Sequence, residues 1–414
     1  MQNKKINNYF LFLFSLIPIS IIAGSSISLS NILIIDISFL ALIIFRKDFV
    51  FLRSKTIKYL LILYIYLIFN SFVSIDYEIG LARNLGFIRF IILFIAFNYF
   101  LNQKLFLKNV LSVWSLIIFL ILIDIFFESY TGKNIVGYGG YSVYGDRLVS
   151  FFKDEPIVGG YINSFYLIIL GFLFHEYNEK KNWIVLFSII FLVAVILTGE
   201  RSNFIKSFLG VFIFYLILNE YDLKKKIIFF FTIIVIFLIL VLNSGALKVR
   251  YVGQIKSYFT HIEKSGKIKN EYFMIYKSAY EVFKNHKFFG VGNKNYRVAT
   301  CNREQLEGKK KEIYYCRTHP HQIYFELLSE HGLFGGLLLL YIFYKLIFSK
   351  FRNVFNQSNH ISLGSYVYLL ITFMPLLPGG AFFGDYMLTI FMLNLSIFYG
   401  ANQSLNIFNQ NGKR

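Results

Sequence analysis

The residues best suited by type and spacing to do chemistry lie in one stretch, residues 318 to 336, THPHQIYFELLSEHGLFGG. It sets two histidines and a proline at the mouth of an apolar run, sends acids down that run and closes on glycines. Pro320 suits the first turn of a helix with Thr318 or His319 as its cap, so His321 is expected beside a helix N-terminus. The positive end of a helix disfavours a further positive charge, which lowers an imidazole pKa. His321 should then be largely neutral near pH 7, as a general base must be. His319 is expected as its neighbour or as the cap.

Gln322, Glu326 and Glu330 follow at four-residue spacing and so share one helix face. An acid in hydrocarbon costs about 2.5 to 3.5 kcal/mol on insertion scales, so that face must turn into a helix bundle or a wet cavity. The acids either satisfy hydrogen bonds between helices or support the chemistry of His321. The stretch alone leaves both readings open.

The rest of the chain is apolar enough to dictate what positions these groups. It is 56% hydrophobic, 20% aromatic and only 16% charged over 414 residues, which reads as an all-α polytopic membrane protein. The net charge of +19 belongs in cytoplasmic loops of such a protein rather than on a nucleic-acid face, so no nucleic-acid partner is expected. Twelve apolar runs are long enough to be spans, at approximately 9–23, 27–45, 57–74, 86–101, 106–127, 157–174, 182–198, 203–218, 227–242, 322–344, 360–376 and 381–400.

Lysine and arginine alternate along these runs. Lys4 and Lys5, Arg46 to Lys55, Lys104 and Lys108, Lys180 and Lys181, Lys224 to Lys226, Lys345 to Arg352, and Lys413 and Arg414 mark one side, expected to be cytoplasmic with both termini. Residues 1–25 also have the look of a signal peptide, but no Ala-x-Ala site follows the apolar run, and the first helix is expected to be retained. The chain then divides into five spans in 1–127, a first periplasmic loop in 128–156, four spans in 157–242, a large periplasmic loop in 243–321, and three spans with a short tail in 322–414.

Both external loops depart from the helical pattern. In 128–156 tyrosines and glycines crowd around Gly137 to Tyr141, which favours turns and cannot face lipid. In 243–321 the stretch 271–289 repeats apolar residues at helical spacing, from Tyr272 and Ile275 to Tyr280 and Phe283, and is expected to form an amphipathic helix over the membrane or the site. Cys301 and Cys316 enclose a short loop before the histidines. Their spacing to His319 and His321 is not that of a familiar zinc site, and on an oxidising side a disulfide is expected. The segment MPLLPGGAFFGD, 374–385, reads as an ordinary turn or as a wall of the cavity.

The opening stretch also resembles the O-antigen ligase and polymerase superfamily. That family ends its large external loop in His, then Asn, Ser or Gln, nine residues, Gly, two residues, and Gly, Thr or Tyr. Here His321 and Gln322 are followed at those spacings by Gly332 and Gly335. The resemblance implies a twelve-span, GT-C-like fold and transfer of a glycan from undecaprenyl diphosphate to an acceptor glycolipid or glycan at the periplasmic face of the inner membrane, with no metal or other cofactor. It implies His321 as the base that deprotonates the acceptor hydroxyl and arginines that hold the diphosphate. Arg201 in TGERSNF, Arg147 in GDRLVSFF and Arg250 after the ninth run are the residues that fit, with Ser150 standing where the family more usually has glycine. Arginine suits the task because its planar fork offers fixed charge and paired donors. Each arginine also fits the commoner role of a headgroup anchor, and Glu200 is expected to pair with Arg201.

Ligase and polymerase differ only in acceptor, which the sequence does not read. The rival class is a secondary transporter or flippase, which keeps its site near the membrane midplane on broken helices, often with inverted repeats. No repeat stands out here, and the polar constellation gathers at one face.

Overall fold

The computed structural model describes residues 4–140, 147–153, 155–218, 220–253, 271–302, 313–355 and 359–409. Parts of the turn-rich loop and of the large loop, and the basic pair Lys413 and Arg414, lie outside the described residues. All regular structure among the described residues is helical.

The chain opens with α1 (Lys4–Ser15), α2 (Ile17–Ala23), α3 (Ser25–Arg46), α4 (Lys55–Phe72), α5 (Tyr77–Gly86), α6 (Ile88–Leu101) and α7 (Lys104–Thr131). It continues with α8 (Val158–Glu176), α9 (Lys181–Leu197), α10 (Arg201–Ile217) and α11 (Leu223–Asn243). The large loop contributes α12 (Glu271–Asn285) and α13 (Tyr296–Cys301), and α14 (Ile323–Leu346), α15 (His360–Thr372) and α16 (Asp385–Gly400) complete the bundle. Each of the twelve apolar runs coincides with one of these helices or with the pair α1 and α2.

Nine helices or joined helix pairs among the described residues are long and apolar enough to cross a membrane. α10, α15 and α16 are shorter, at 17, 13 and 16 residues. The shortness of α15 has a local cause. At 1.5 Å per residue it rises only about 20 Å against a hydrocarbon core of about 30 Å. The expected span of 360–376 stops at Thr372, where an irregular turn over 373–384 takes over and buries Phe382 and Phe383 in the protein.

The core is aromatic and aliphatic, and α8 lies at its centre. Nearly every residue from Tyr161 to Phe172 is buried, and α8 packs against α7, α9, α10 and α15. The first helix is tied in as well, since the Trp114 indole donates to the carbonyl of Phe14 at 3.0 Å and Asn31 donates to that of Leu13 at 3.3 Å. The amphipathic stretch forms α12, shorter than the expected 271–289. It buries Ile275, Ser278, Ala279 and Val282 against α14.

The start of α14 corrects the expected cap. The helix begins at Ile323, and Gln322 is the N-cap, its side-chain oxygen accepting from the N–H groups of Tyr324 at 2.8 Å and Phe325 at 3.0 Å. Thr318, His319 and Pro320 therefore lie ahead of the helix in an irregular segment. A glutamine side chain long enough to fold back on two amides displaces the shorter threonine as the cap.

Candidate active site

A cavity of about 370 Å³ opens where the ends of α8, α10, α14 and α16 meet the large loop. Its lining includes Arg147, Arg201, Arg250, His319 and His321, drawn from segments far apart in sequence. Asn163, Asn203, Lys206 and Tyr272 line it too.

Each arginine is held by backbone geometry that the sequence encodes locally. Arg201 is the first residue of α10, following the turn at Gly199, whose φ is 69°. Arg250, in a helical turn over Val249–Gly253, donates through Nε at 3.4 Å and Nη2 at 3.3 Å to the carbonyl of Gly199, which brings it beside Arg201. Arg147 precedes a segment pinned to α7: Glu128 accepts from the N–H groups of Val149 at 3.0 Å and Ser150 at 2.7 Å. The Ser150 hydroxyl donates to Asp124 at 2.5 Å. Ser150 sits at φ 51°, a left-handed conformation that glycine adopts more readily. These contacts hold serine there. Burial first, and then the like charges of Arg147 and Arg201, push the Arg250 guanidinium below its ordinary value. Such a gathering of cations is stabilised by an anion.

Glu200 does not pair with Arg201. Its carboxylate receives the N–H groups of Gly159 at 2.6 Å and Gly160 at 3.3 Å, and the Asn203 amide at 2.5 Å. It thus caps the first turn of α8, where free backbone donors and the helix dipole favour a carboxylate. Burial outweighs these bonds and pushes its pKa up to about 7.

The histidines sit side by side at the cavity wall, ring centroids 4.0 Å apart and planes tilted by 47°, with the Tyr272 ring 6.2 Å from that of His321. His321 has φ 56°, a strained conformation for a side-chain-bearing residue that costs on the order of 1 to 3 kcal/mol. Its carbonyl accepts from the N–H of Gly379 at 2.7 Å. Burial, more than any other influence, lowers its pKa below the usual imidazole value, and the Arg317 charge adds to this. Burial rather than the helix end is thus the first cause of its neutrality. For His319, burial and then the charges of His321 and Lys294 push the pKa down to about 3. Both rings are neutral near pH 7, and a neutral imidazole facing a cationic wall can accept a proton.

Residues 186–340, from within α9 into α14, match the family described as O-Antigen ligase. That match covers 155 of the 414 residues and takes in Arg201, Arg250, His319 and His321. No curated protein matches the chain. The family supports glycan transfer of the O-antigen ligase or polymerase type, with lipid-linked glycan and a glycan or glycolipid acceptor as partners in general. With the apolar helices it describes a multi-pass bacterial membrane protein.

Within the matched stretch, the acids and glycines after His321 have backbone partners. Gln322, Glu326 and Glu330 are all buried in the bundle. Glu326 accepts from the N–H groups of Phe382 at 2.9 Å and Phe383 at 3.3 Å, satisfying the irregular turn that follows α15. Glu330 accepts from the N–H of Tyr296 at 3.4 Å, at the start of α13. Non-helical backbone is tolerated at such depth where protein groups satisfy it, which gives the acids their place.

Gly332 breaks α14 with φ 67° and ψ −167°. The large loop pairs with the break: Val291 donates to the carbonyl of Ser329 at 2.9 Å, Gly292 to that of Glu330 at 2.9 Å, and Leu333 to that of Lys287 at 2.7 Å. A Cβ at Gly332 would lie 2.4 Å from the Phe288 carbonyl oxygen, and one at Gly335 would lie 1.6 Å from the Tyr66 hydroxyl. Gly332 therefore registers the large loop on α14, and Gly335 lets α4 approach it at Tyr66. Cys301 and Cys316 form a disulfide that ties α13 to the segment leading into His319.

Lys206 is the residue sequence reading passed over. It lies inside an apolar run, and a lone lysine there was itself the signal, since a charge within a span is expensive and marks a function by default. Tyr272 was noted only as part of an amphipathic stripe.

Proposed function

We propose that this protein transfers a glycan from an undecaprenyl diphosphate-linked donor to an acceptor sugar hydroxyl, at the periplasmic face of the bacterial inner membrane. The observation that carries the reading is the convergence of Arg147, Arg201, Arg250 and His321 on one cavity. His321 takes the proton of the acceptor hydroxyl, and the resulting oxygen attacks the anomeric carbon of the donor. The bond from that carbon to the diphosphate breaks, the electron pair leaves with the diphosphate, and the configuration inverts. The arginines stabilise the charge that develops on the leaving group, where preorganised donors contribute most. The acceptor on this reading is a glycolipid core, as for a ligase.

Glycan analysis of the host envelope with and without this protein tests the reading. Loss of long-chain glycolipid with accumulated lipid-linked polymer is the expected result. Accumulation of a lipid-linked single repeat instead assigns polymerisation, and an unchanged envelope glycan overturns both.

A further inference from the structure

One peptide unit in the turn between α15 and α16 is gripped from both sides. Lys206 Nζ donates to the carbonyl of Pro378 at 3.0 Å. The N–H of Gly379 donates to the carbonyl of His321 at 2.7 Å. That carbonyl and that N–H belong to a single planar amide, so the three groups form one continuous chain. An ammonium donor makes a stronger bond than a neutral one, and hydrogen bonds in series polarise one another. The far end of the turn is fixed independently, by Glu326 on the N–H groups of Phe382 and Phe383. His321, at φ 56°, is a strained member of the assembly, as is Leu376 in the turn at φ 65°, and a side-chain-bearing residue keeps such a conformation only when its surroundings impose it.

We propose that Lys206 is a positioning residue which, acting through the Pro378–Gly379 peptide, holds the backbone of His321 in its left-handed conformation and keeps the imidazole at the cavity wall. The proposal deepens the reading of His321 as the base and rests on it. Lys206 also lines the cavity, so the competing role is direct contact with the anionic leaving group. Its ammonium is already bonded to Pro378, and a Cβ at Gly379 would lie 3.2 Å from Nζ, so the group sits down on the turn.

The test compares the full chain with Lys206→Met, which removes the donor at similar length, and Lys206→Arg, which keeps a charged donor. One arm measures hydrogen exchange of the peptide covering Gly379. The other measures transfer from an undecaprenyl diphosphate-linked glycan in proteoliposomes. In Lys206→Met the Gly379 amide should exchange faster and kcat should fall on the order of 10²-fold with the donor KM within about threefold, as for a misplaced catalytic group. Lys206→Arg should restore most of both. A raised donor KM with kcat and exchange unchanged makes Lys206 a ligand of the leaving group and overturns the proposal. If the wild-type chain transfers no glycan, the functional reading fails, while exchange left unchanged by Lys206→Met still overturns the clamp. Should Lys206→Met not fold, Gly379→Ala, which crowds Nζ, serves the same comparison with a smaller loss.

Discussion

Glu326 on α14 and Phe382 in the turn after α15 are joined by a carboxylate that accepts a buried backbone N–H at 2.9 Å, 56 residues apart in sequence. A second bond, to Phe383, completes the grip. Glu326→Ala leaves two buried amide donors without partners, at about 1 to 3 kcal/mol for an unsatisfied group. The thermal midpoint in detergent should drop by several degrees, and transfer should fall with it because the same turn carries Gly379. An unchanged midpoint would mean the buried amides find other partners.

Gly332→Ala meets two obstacles at once, a φ of 67° and a Cβ 2.4 Å from the Phe288 carbonyl oxygen. Neither the helix nor the paired loop can shift without breaking the bonds that flank the break. The expected loss is several kcal/mol, at the severe end for a single substitution. Poor recovery of folded protein, or a midpoint far below wild type, would be seen by size-exclusion and thermal unfolding.

Arg201→Ala should lower kcat/KM for the lipid diphosphate donor by about 10- to 100-fold, the worth of a charged hydrogen bond of about 1.5 to 3 kcal/mol. Arg201→Lys keeps the charge but not the fork and should recover only part of the loss. Titrating donor against each variant separates this from a headgroup anchor, whose removal leaves kcat/KM near wild type.

His319 and His321 bear on pH in the same direction. Their folded pKa values lie below the ordinary 6.5, that of His319 near 3, so the unfolded chain binds more protons as pH falls below about 6.5. Stability supplied by the neutral rings is complete above pH 6.5 and is lost as pH falls toward the folded values. The acid limb of kcat/KM should correspondingly lie below 6.5. An acid limb above 6.5 would contradict a base with a depressed pKa.

The elements of the cavity were legible in the sequence to different depths. Arg147, Arg201, Arg250 and His321 could be named because isolated basic residues between the apolar runs are few and because His321 heads a spaced motif. Their meeting in one cavity could not be read, since it depends on Arg250 reaching the Gly199 carbonyl and on Glu128 holding Ser150. The acids Glu326 and Glu330 could be placed on an inward face by periodicity together with the cost of an acid in hydrocarbon. Their partners could not, because these are backbone N–H groups, which leave no mark in side-chain pattern. The cap of α14 was misread for a similar reason: Thr318 and Pro320 carry the usual signals, and Gln322 outcompetes them by folding onto two amides.

The central claim is that His321 is the base. The most direct measurement is single-turnover transfer from an undecaprenyl diphosphate-linked glycan to acceptor by the purified full chain and by His321→Ala, at donor concentrations that saturate binding. The predicted result is a drop in the chemical step on the order of 10²- to 10⁴-fold, the range for general acid–base catalysis, with donor binding retained. Transfer by His321→Ala at the wild-type rate would contradict it.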